Sequence, residues 1–136
     1  MRPASLILIL ALSACAAHRP AAPGSGPIAD GSTVTVKLSN FAYDPENLRL
    51  RAGVPVTLRL VNESDGGHDF KAPGFFAAST FPPGSSPPPG GAVDVDAGAT
   101  VELALVPREP GTYPVDCTHF LHHAFGMTGT VEIVAP

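Results

Sequence analysis

Residues 117–134 have the sequence CTHFLHHAFGMTGTVEIV. The stretch from Cys117 to Met127 contains one thiol, three imidazoles and one thioether, which are side chains that bind soft metal ions. From Thr128 to Val134 the apolar residues alternate with polar or small ones, which predicts a β-strand with Val131 and Ile133 on one face. The stretch therefore predicts a metal-ligand loop followed directly by a half-buried strand.

The same period of two recurs upstream. Apolar residues alternate in three further segments, which are Thr33–Leu38, Pro55–Asn62 and Thr100–Val106. We expect half-buried strands there, with Arg59, Glu102 and Glu132 of the four segments facing water. Gly-containing turns such as Ala52-Gly53 and Ala97-Gly98 separate them, and no stretch has the pattern of a long amphipathic helix. The sequence predicts an all-β sandwich.

The region between the central strands is irregular. A short helical turn is expected around Phe75–Ser79. Residues Thr80–Ala92 contain five prolines and cannot form a central strand, so we expect an extended surface segment there.

The N-terminus has the pattern of an export signal. Arg2 precedes the apolar run Leu6–Leu12, which is too short to span a bilayer. The following Leu-Ser-Ala-Cys resembles a bacterial lipobox, which predicts a signal peptide at residues 1–14 and a lipid on Cys15. Residues 15–32 are rich in Ala, Pro and Gly and predict a flexible linker to a domain at residues 33–136. We expect the protein at the periplasmic side of a bacterial envelope, held by lipid, with the outer membrane favoured.

Charge and composition exclude some partners. Lys and Arg number 8 against 12 Asp and Glu, a formal net charge of −4, and the basic residues are scattered. This argues against a nucleic-acid partner. No second apolar run offers a membrane span, and we expect a monomer.

Cys117 is the only thiol left if Cys15 carries lipid, and an unpaired thiol in an oxidising compartment needs a use or a shield. It could be a buried small hydrophobe, but the neighbouring imidazoles favour a ligand. A thiolate, two imidazoles and a long axial thioether suit mononuclear type 1 copper. The second imidazole would come from His18 or His68, and His68 is favoured because it follows the end of a predicted strand.

Over residues 33–135 the chain resembles small cupredoxins such as plastocyanin, azurin and amicyanin. The resemblance lies in a histidine after an early strand, followed by a spaced set at Cys117, His122, Met127, Gly129 and Val131. It implies a Greek-key β-sandwich and one copper, with His68, Cys117 and His122 in a trigonal plane and Met127 as axial ligand. It also implies a one-electron carrier between larger redox partners, not an enzyme, with the edge of His122 as the exit for the electron.

The chain departs from that family pattern at two places. Asp69 stands where the family often has Asn, and we expect its carboxylate to accept the backbone N–H of Thr118. His119 and His123 have no place in the pattern and are expected to be bystanders. Three phenylalanines near the ligands, Phe70, Phe120 and Phe125, are expected to lower the local polarity and shield the thiolate.

Other chemistries fit less well. A dinuclear copper domain needs two bridging cysteines, structural zinc prefers paired cysteines, and a thiol oxidoreductase needs Cys-x-x-Cys. A copper enzyme such as a nitrite reductase needs further domains, and no orienting motif accompanies Cys117 as a nucleophile. The alternative that stays open is a copper chaperone or buffer that delivers the ion to an acceptor protein, which the extra His119 and His123 favour.

Overall fold

The computed structural model describes residues 28–29, 33–120, 122 and 124–136. The predicted signal peptide at residues 1–14 and most of the predicted linker, with Cys15 and His18, lie outside the described residues. So do Leu121 and His123 of the ligand loop.

The described chain is built almost entirely from strands. Their bounds are β1 Thr33–Ser39, β2 Ala42–Asp44, β3 Asn47–Arg51, β4 Val56–Asn62, β5 His68–Lys71, β6 Ser79–Thr80, β7 Ala92–Val95, β8 Thr100–Pro107, β9 Gly111–Asp116 and β10 Thr128–Val134. One short helix, α1 Pro73–Ala77, and a single 3-10 turn, Pro89–Gly91, complete the described elements.

The strands form two five-stranded sheets that face each other. The first has the order β2-β1-β4-β8-β6 and the second β3-β10-β9-β5-β7. Strands β1 and β4 run parallel, as do β3 and β10, and the other pairs are antiparallel. The predicted all-β sandwich is confirmed.

The core lies between the sheets and follows the predicted alternation. The inward residues Val36 and Leu38 of β1, and Val131 and Ile133 of β10, are almost completely buried. Burying such a side chain stabilises a fold by about 1.5 to 3 kcal/mol. Phe70 and the two phenylalanines of α1 fill the same core. The sheets therefore form a stiff base for the loops at their ends.

Strands β1, β4, β8 and β10 match the four segments predicted from the sequence, and β10 has the predicted bounds. The short strands β2, β3, β5, β6 and β7 were not expected. Glu132 lies on the outer face of β10, as expected, but it is only partly exposed there. The register of β3 beside β10 pairs it with Arg49, whose Nε donates to its carboxylate at 2.9 Å.

The helix begins earlier than expected. Pro73 occupies its first turn, where a missing N–H costs nothing, and burial of Phe75 and Phe76 holds it against the core. Its last turn closes with the N–H of Ala78 on the Gly74 carbonyl at 3.0 Å. The proline-rich segment is largely exposed, as predicted, although its ends extend into β6 and β7.

A short contact at the chain's first described residues joins them to the second sheet. Ala29, within the predicted linker, forms a bridge to Leu50 and donates its N–H to the Arg49 carbonyl at 3.0 Å. None of the helices in the described ranges is both long and apolar enough to cross a bilayer.

Candidate metal centre

Three donor atoms from separate segments meet at one end of the sandwich. His68 opens β5, Cys117 follows the last residue of β9, and His122 lies in the loop before β10. The Sγ of Cys117 lies 3.4 Å from Nδ1 of His122 and 3.8 Å from Nδ1 of His68, and the two Nδ1 atoms are 3.1 Å apart. Among the residues that the structure describes, this is the only such group with metal-site spacing.

The three donor atoms fit a single ion. A circle through atoms at these separations has a radius of about 2.0 Å, close to the ~2.0 to 2.3 Å bonds of imidazole nitrogen and thiolate sulfur to a first-row metal such as zinc. An ion there would reach all three donors without rearrangement of the side chains. Two imidazoles with one thiolate are also the trigonal set that suits copper.

Met127 ends the loop that carries Cys117 and His122. Its N–H donates to the carbonyl of His122 at 3.0 Å, and its carbonyl accepts the N–H of Cys117 at 3.2 Å. Its side chain is fully buried. These bonds hold the thioether-bearing residue close to the backbone of both loop donors, and its role as axial ligand stays a prediction.

Gly129, the second residue of β10, fixes where the chain enters that strand. A Cβ at Gly129 would collide with the backbone carbonyl oxygen of Glu46, which accepts the N–H of Thr130 at 2.9 Å. Only glycine allows this close approach of the two chains. The ligand loop therefore returns to the sheet at a defined position.

A buried carboxylate ties the strand of His68 to the loop of Cys117. Oδ1 of Asp69 accepts the N–H of Thr118 at 2.6 Å, and Oδ2 accepts the Thr118 hydroxyl at 2.5 Å. Asp69 is only 2% exposed. The predicted bond to Thr118 is confirmed, and the hydroxyl adds a second one.

Tyr43 supports this tie from the core. Its hydroxyl donates to the backbone carbonyl of Asp69 at 2.6 Å, and its ring packs edge-on against Phe70. Burial, followed by the nearby Cys117 and Asp69, raises the pKa of Tyr43 far above its ordinary value. The hydroxyl therefore keeps its proton, and its role as donor, to a higher pH than an exposed tyrosine would.

Burial favours the neutral forms of His68 and Cys117, the two fully buried members of the donor triangle. It lowers the pKa of His68, which His122 and His119 lower further while Asp69 opposes them. Burial is also the main cause that raises the pKa of the Cys117 thiol. The metal-free site thus presents a neutral imidazole and a thiol that must release its proton when a metal binds.

One side of the centre reaches the surface. His122 is partly exposed, and the ring of Phe41 meets it edge-on with the ring centroids 5.3 Å apart. Phe41 in turn lies 5.0 Å from the ring of Phe125. The two phenylalanines, 42% and 62% exposed, form an apolar rim beside the outer donor.

Two of the three phenylalanines expected to shield the thiolate do not do so. Phe120 is 87% exposed, because the turn closed by the His122 N–H on the His119 carbonyl places it at an exposed tip. Phe125 belongs to the rim, and only Phe70 is buried, in the core beside Tyr43. The sequence placed these residues near the ligands but could not give the direction of their side chains.

His119 lies beside the donor triangle and outside it. Its ring stacks on that of His122 with centroids 5.9 Å apart, and its Nε2 lies 4.0 Å from a carboxylate oxygen of Asp94. Its side chain is 40% exposed. Its role as a bystander stays a prediction, and His123 lies outside the described residues.

Three residues of the site had not been expected from the sequence. Phe41 lies in the turn after β1 and Tyr43 in β2, both far from the ligand loop in sequence, and nothing in their spacing points to the centre. Ser64 lies four residues before His68, with its Oγ 2.9 Å from Nε2 of that histidine. The short Asn-Glu-Ser run after β4 was the one usable signal, since such residues form side-chain-bonded turns.

Solved structures share this fold. Dithionite-reduced auracyanin from the photosynthetic bacterium Roseiflexus castenholzii matches with a TM-score of 0.59 and 20% identity, over 78% of this chain and 99% of that chain. Auracyanin B matches with a TM-score of 0.58 and 24% identity, over 78% of this chain and 91% of that chain. At such identities the likeness shows the fold alone.

A multicopper oxidase from Campylobacter jejuni also matches, with a TM-score of 0.58 and 12% identity, over 83% of this chain but 32% of that larger chain. No curated protein sequence matches significantly. The family model described as a cupredoxin-like domain matches residues 4–133, nearly the whole chain. Together with the two facing sheets and the His and Cys triangle, this match shows that the chain belongs to the cupredoxin-like family, as a small cupredoxin with a site for a single copper ion.

Proposed function

We propose that this protein is an exported mononuclear type 1 copper protein that carries single electrons. The observation that carries the proposal is the donor triangle of His68, Cys117 and His122, with buried Met127 beside it. Bound copper would supply a one-electron couple between Cu(I) and Cu(II). The proposed ligands are these four residues, with Met127 in the axial position.

The protein's part in this function is to hold the donors still. His68 lies on β5, Cys117 directly follows β9, and Asp69 joins the two segments through Thr118. A donor set with little freedom has little to rearrange when an electron arrives or leaves. The partly exposed edge of His122 is the proposed exit for the electron toward a redox protein partner.

The burial of the donors favours a carrier over an enzyme. Cys117, His68 and Met127 are fully buried, so a substrate has no direct route to an ion held between them. Only His122 among the four reaches the surface. We therefore propose outer-sphere electron exchange and no turnover of a bound substrate.

Optical spectroscopy tests the ligand set. The copper(II) protein should show an intense thiolate-to-copper charge-transfer band in the visible region, and Cys117→Ser should abolish it. Met127→Leu should shift the band without removing it, because the axial thioether is a weak, long ligand. A colourless copper(II) protein, or zinc in the site after isolation from cells, would contradict the proposal.

A copper chaperone or buffer is the second candidate. The observation that favours it is the exposed ring of His119 stacked against His122, where a second imidazole could receive copper on its way to an acceptor protein. Stopped-flow mixing of the Cu(I) protein with an oxidised cytochrome, and separately with a metal-free copper acceptor, distinguishes the two. Fast electron loss with copper retained supports the carrier. Fast copper loss without cytochrome reduction supports the chaperone.

The cellular location is a separate proposal that rests on sequence. We propose that Cys15 carries lipid and holds the protein, as a monomer, at the periplasmic side of a bacterial envelope membrane, because Leu-Ser-Ala-Cys follows a short apolar run. Mass spectrometry of the N-terminal peptide should show an acylated Cys15. An unmodified peptide that begins at or after Ala16, or retention of residues 1–14, would contradict it.

A further inference from the structure

The loop before His68 is organised by one buried amide. Asn62 ends β4 and is 1% exposed. Its Nδ2 donates to three backbone carbonyls at 2.8, 2.9 and 3.1 Å, which belong to Gly66, Val95 and Asp96. Because carbonyl oxygens only accept, the orientation of this amide is fixed, and its Oδ1 must be an acceptor.

The amide orientation determines where the Ser64 proton goes. Oδ1 of Asn62 lies 2.9 Å from the Ser64 N–H and 2.7 Å from the Ser64 hydroxyl. The hydroxyl also lies 3.0 Å from the Gly66 carbonyl oxygen, which is another pure acceptor. Both neighbours only accept, so these short contacts are hydrogen bonds only if the hydroxyl directs its single proton toward them.

No hydroxyl proton is then left for His68. Its Nε2 lies 2.9 Å from Ser64 Oγ, so a hydrogen bond at this contact requires Nε2–H to donate to the hydroxyl oxygen. A neutral imidazole carries a single N–H, which leaves Nδ1 with its lone pair. Nδ1 is the nitrogen that faces Cys117 and His122.

We propose that Ser64 is a positioning residue that fixes His68, before any metal binds, in the tautomer whose Nδ1 lone pair points into the donor triangle. The inference rests on the proposed role of His68 as a ligand. Ligand histidines commonly need such a partner on the second nitrogen to set tautomer and ring orientation.

Removal of the hydroxyl takes away the partner of the buried His68 ring. Ser64→Ala leaves the Nε2–H of His68 without its acceptor. The ring can then rotate or take the other tautomer, which turns an N–H toward Cys117. Ser64→Thr keeps the oxygen and should restore both tautomer and orientation.

Nitrogen-15 NMR of the metal-free, full-length protein tests the assignment directly. Long-range correlations from the ring protons should show His68 as the Nε2–H tautomer in the unchanged protein and in Ser64→Thr. In Ser64→Ala the Nδ1–H form should appear, while Ser85→Ala, in the exposed proline-rich segment, should match the unchanged protein. An Nδ1–H tautomer in the unchanged protein would overturn the proposal even if Ser64→Ala failed to fold.

Copper binding supplies the second readout. Ser64→Ala should bind copper about tenfold more weakly in competition with a chelator, as is typical for the loss of a ligand's supporting hydrogen bond, and Ser64→Thr should recover most of that loss. Affinity and tautomer both unchanged in a folded Ser64→Ala protein would also overturn the proposal. If His68 has the predicted tautomer but His68→Ala leaves the copper spectrum intact, the ligand proposal fails and the tautomer assignment stands.

Discussion

The carboxylate of Asp69 accepts two hydrogen bonds from Thr118, one from its backbone N–H and one from its hydroxyl. Asp69 follows His68, and Thr118 follows Cys117, so each end of this pair lies directly beside a donor of the metal centre. The pair thus fixes the spacing of two donors that are 49 residues apart in sequence.

Asp69→Ala should destabilise the metal-free protein by about 1 to 3 kcal/mol, because it removes both hydrogen bonds that Thr118 donates to a charged, buried carboxylate. Asp69→Asn keeps one acceptor oxygen and should cost less. Urea denaturation measures both. The exposed Asp65→Ala is the control and should change the free energy of unfolding by less than about 0.5 kcal/mol. Equal stability of Asp69→Ala and Asp65→Ala would mean that the tie contributes nothing.

Substitution of each histidine of the ligand loop should show which one binds copper. His122→Ala should destroy the copper spectrum, since His122 Nδ1 is one corner of the donor triangle. His119→Ala and His123→Ala should keep its main features, with small changes for His119 because its ring stacks on His122. Visible absorption and electron paramagnetic resonance measure the outcome. Loss of the copper spectrum in His119→Ala would contradict the assignment of His122 as the imidazole ligand from this loop.

Phe41 combines a left-handed backbone with a contact to the outer donor. Its φ is +69°, which costs a residue other than glycine about 1 to 2 kcal/mol. Phe41→Gly relieves that strain while it removes the ring contacts, so it should be more stable than Phe41→Ala by about 1 kcal/mol. Both variants should release copper to a chelator severalfold faster, because His122 loses the ring at its edge.

Phe120→Ala is the matched control for copper release, since Phe120 is 87% exposed. It should release copper at the rate of the unchanged protein. If all three variants release copper at the same rate, Phe41 does not restrain His122.

The metal-free protein should lose stability as the pH falls through the range in which His68 titrates. Its folded pKa lies below the ordinary 6.5, so the unfolded chain takes up the proton first as the pH drops. The stability that the neutral ring contributes is therefore complete above about 6.5 and is lost as the pH falls toward the folded pKa. Urea denaturation at about pH 7.5 and about pH 5.5 measures the loss. In His68→Gln that part of the slope should vanish, and an unchanged slope would contradict the assignment.

The sequence alone determined the fold class and the choice of chemistry. Alternating apolar residues specify strands because successive side chains point to opposite faces, and the run Thr128–Val134 forms β10 with the predicted bounds. A thiol, imidazoles and a thioether within one short loop indicated a soft metal, because ligand type follows from the side chains themselves. The bond from Thr118 to Asp69 was also expected, through the resemblance to small cupredoxins, in which the residue after the first histidine ties the two loops together.

The tertiary structure decided what depends on neighbours from distant parts of the chain. The short strand β5, where His68 lies, was expected to be a loop, and it is a strand because β7 and β9 supply its hydrogen-bond partners. Side-chain direction was equally out of reach, so Phe120 and Phe125 were wrongly placed around the thiolate.

The contacts that orient the candidate ligands were likewise decided by the tertiary structure. Phe41 reaches His122 and Ser64 reaches His68 through turns whose shape is set by packing and by the buried amide of Asn62. Residue type tells which atoms can bond, but only the folded chain brings a given donor within about 3 Å of a given acceptor. The candidate ligands could therefore be named from sequence, whereas the groups that orient them could not.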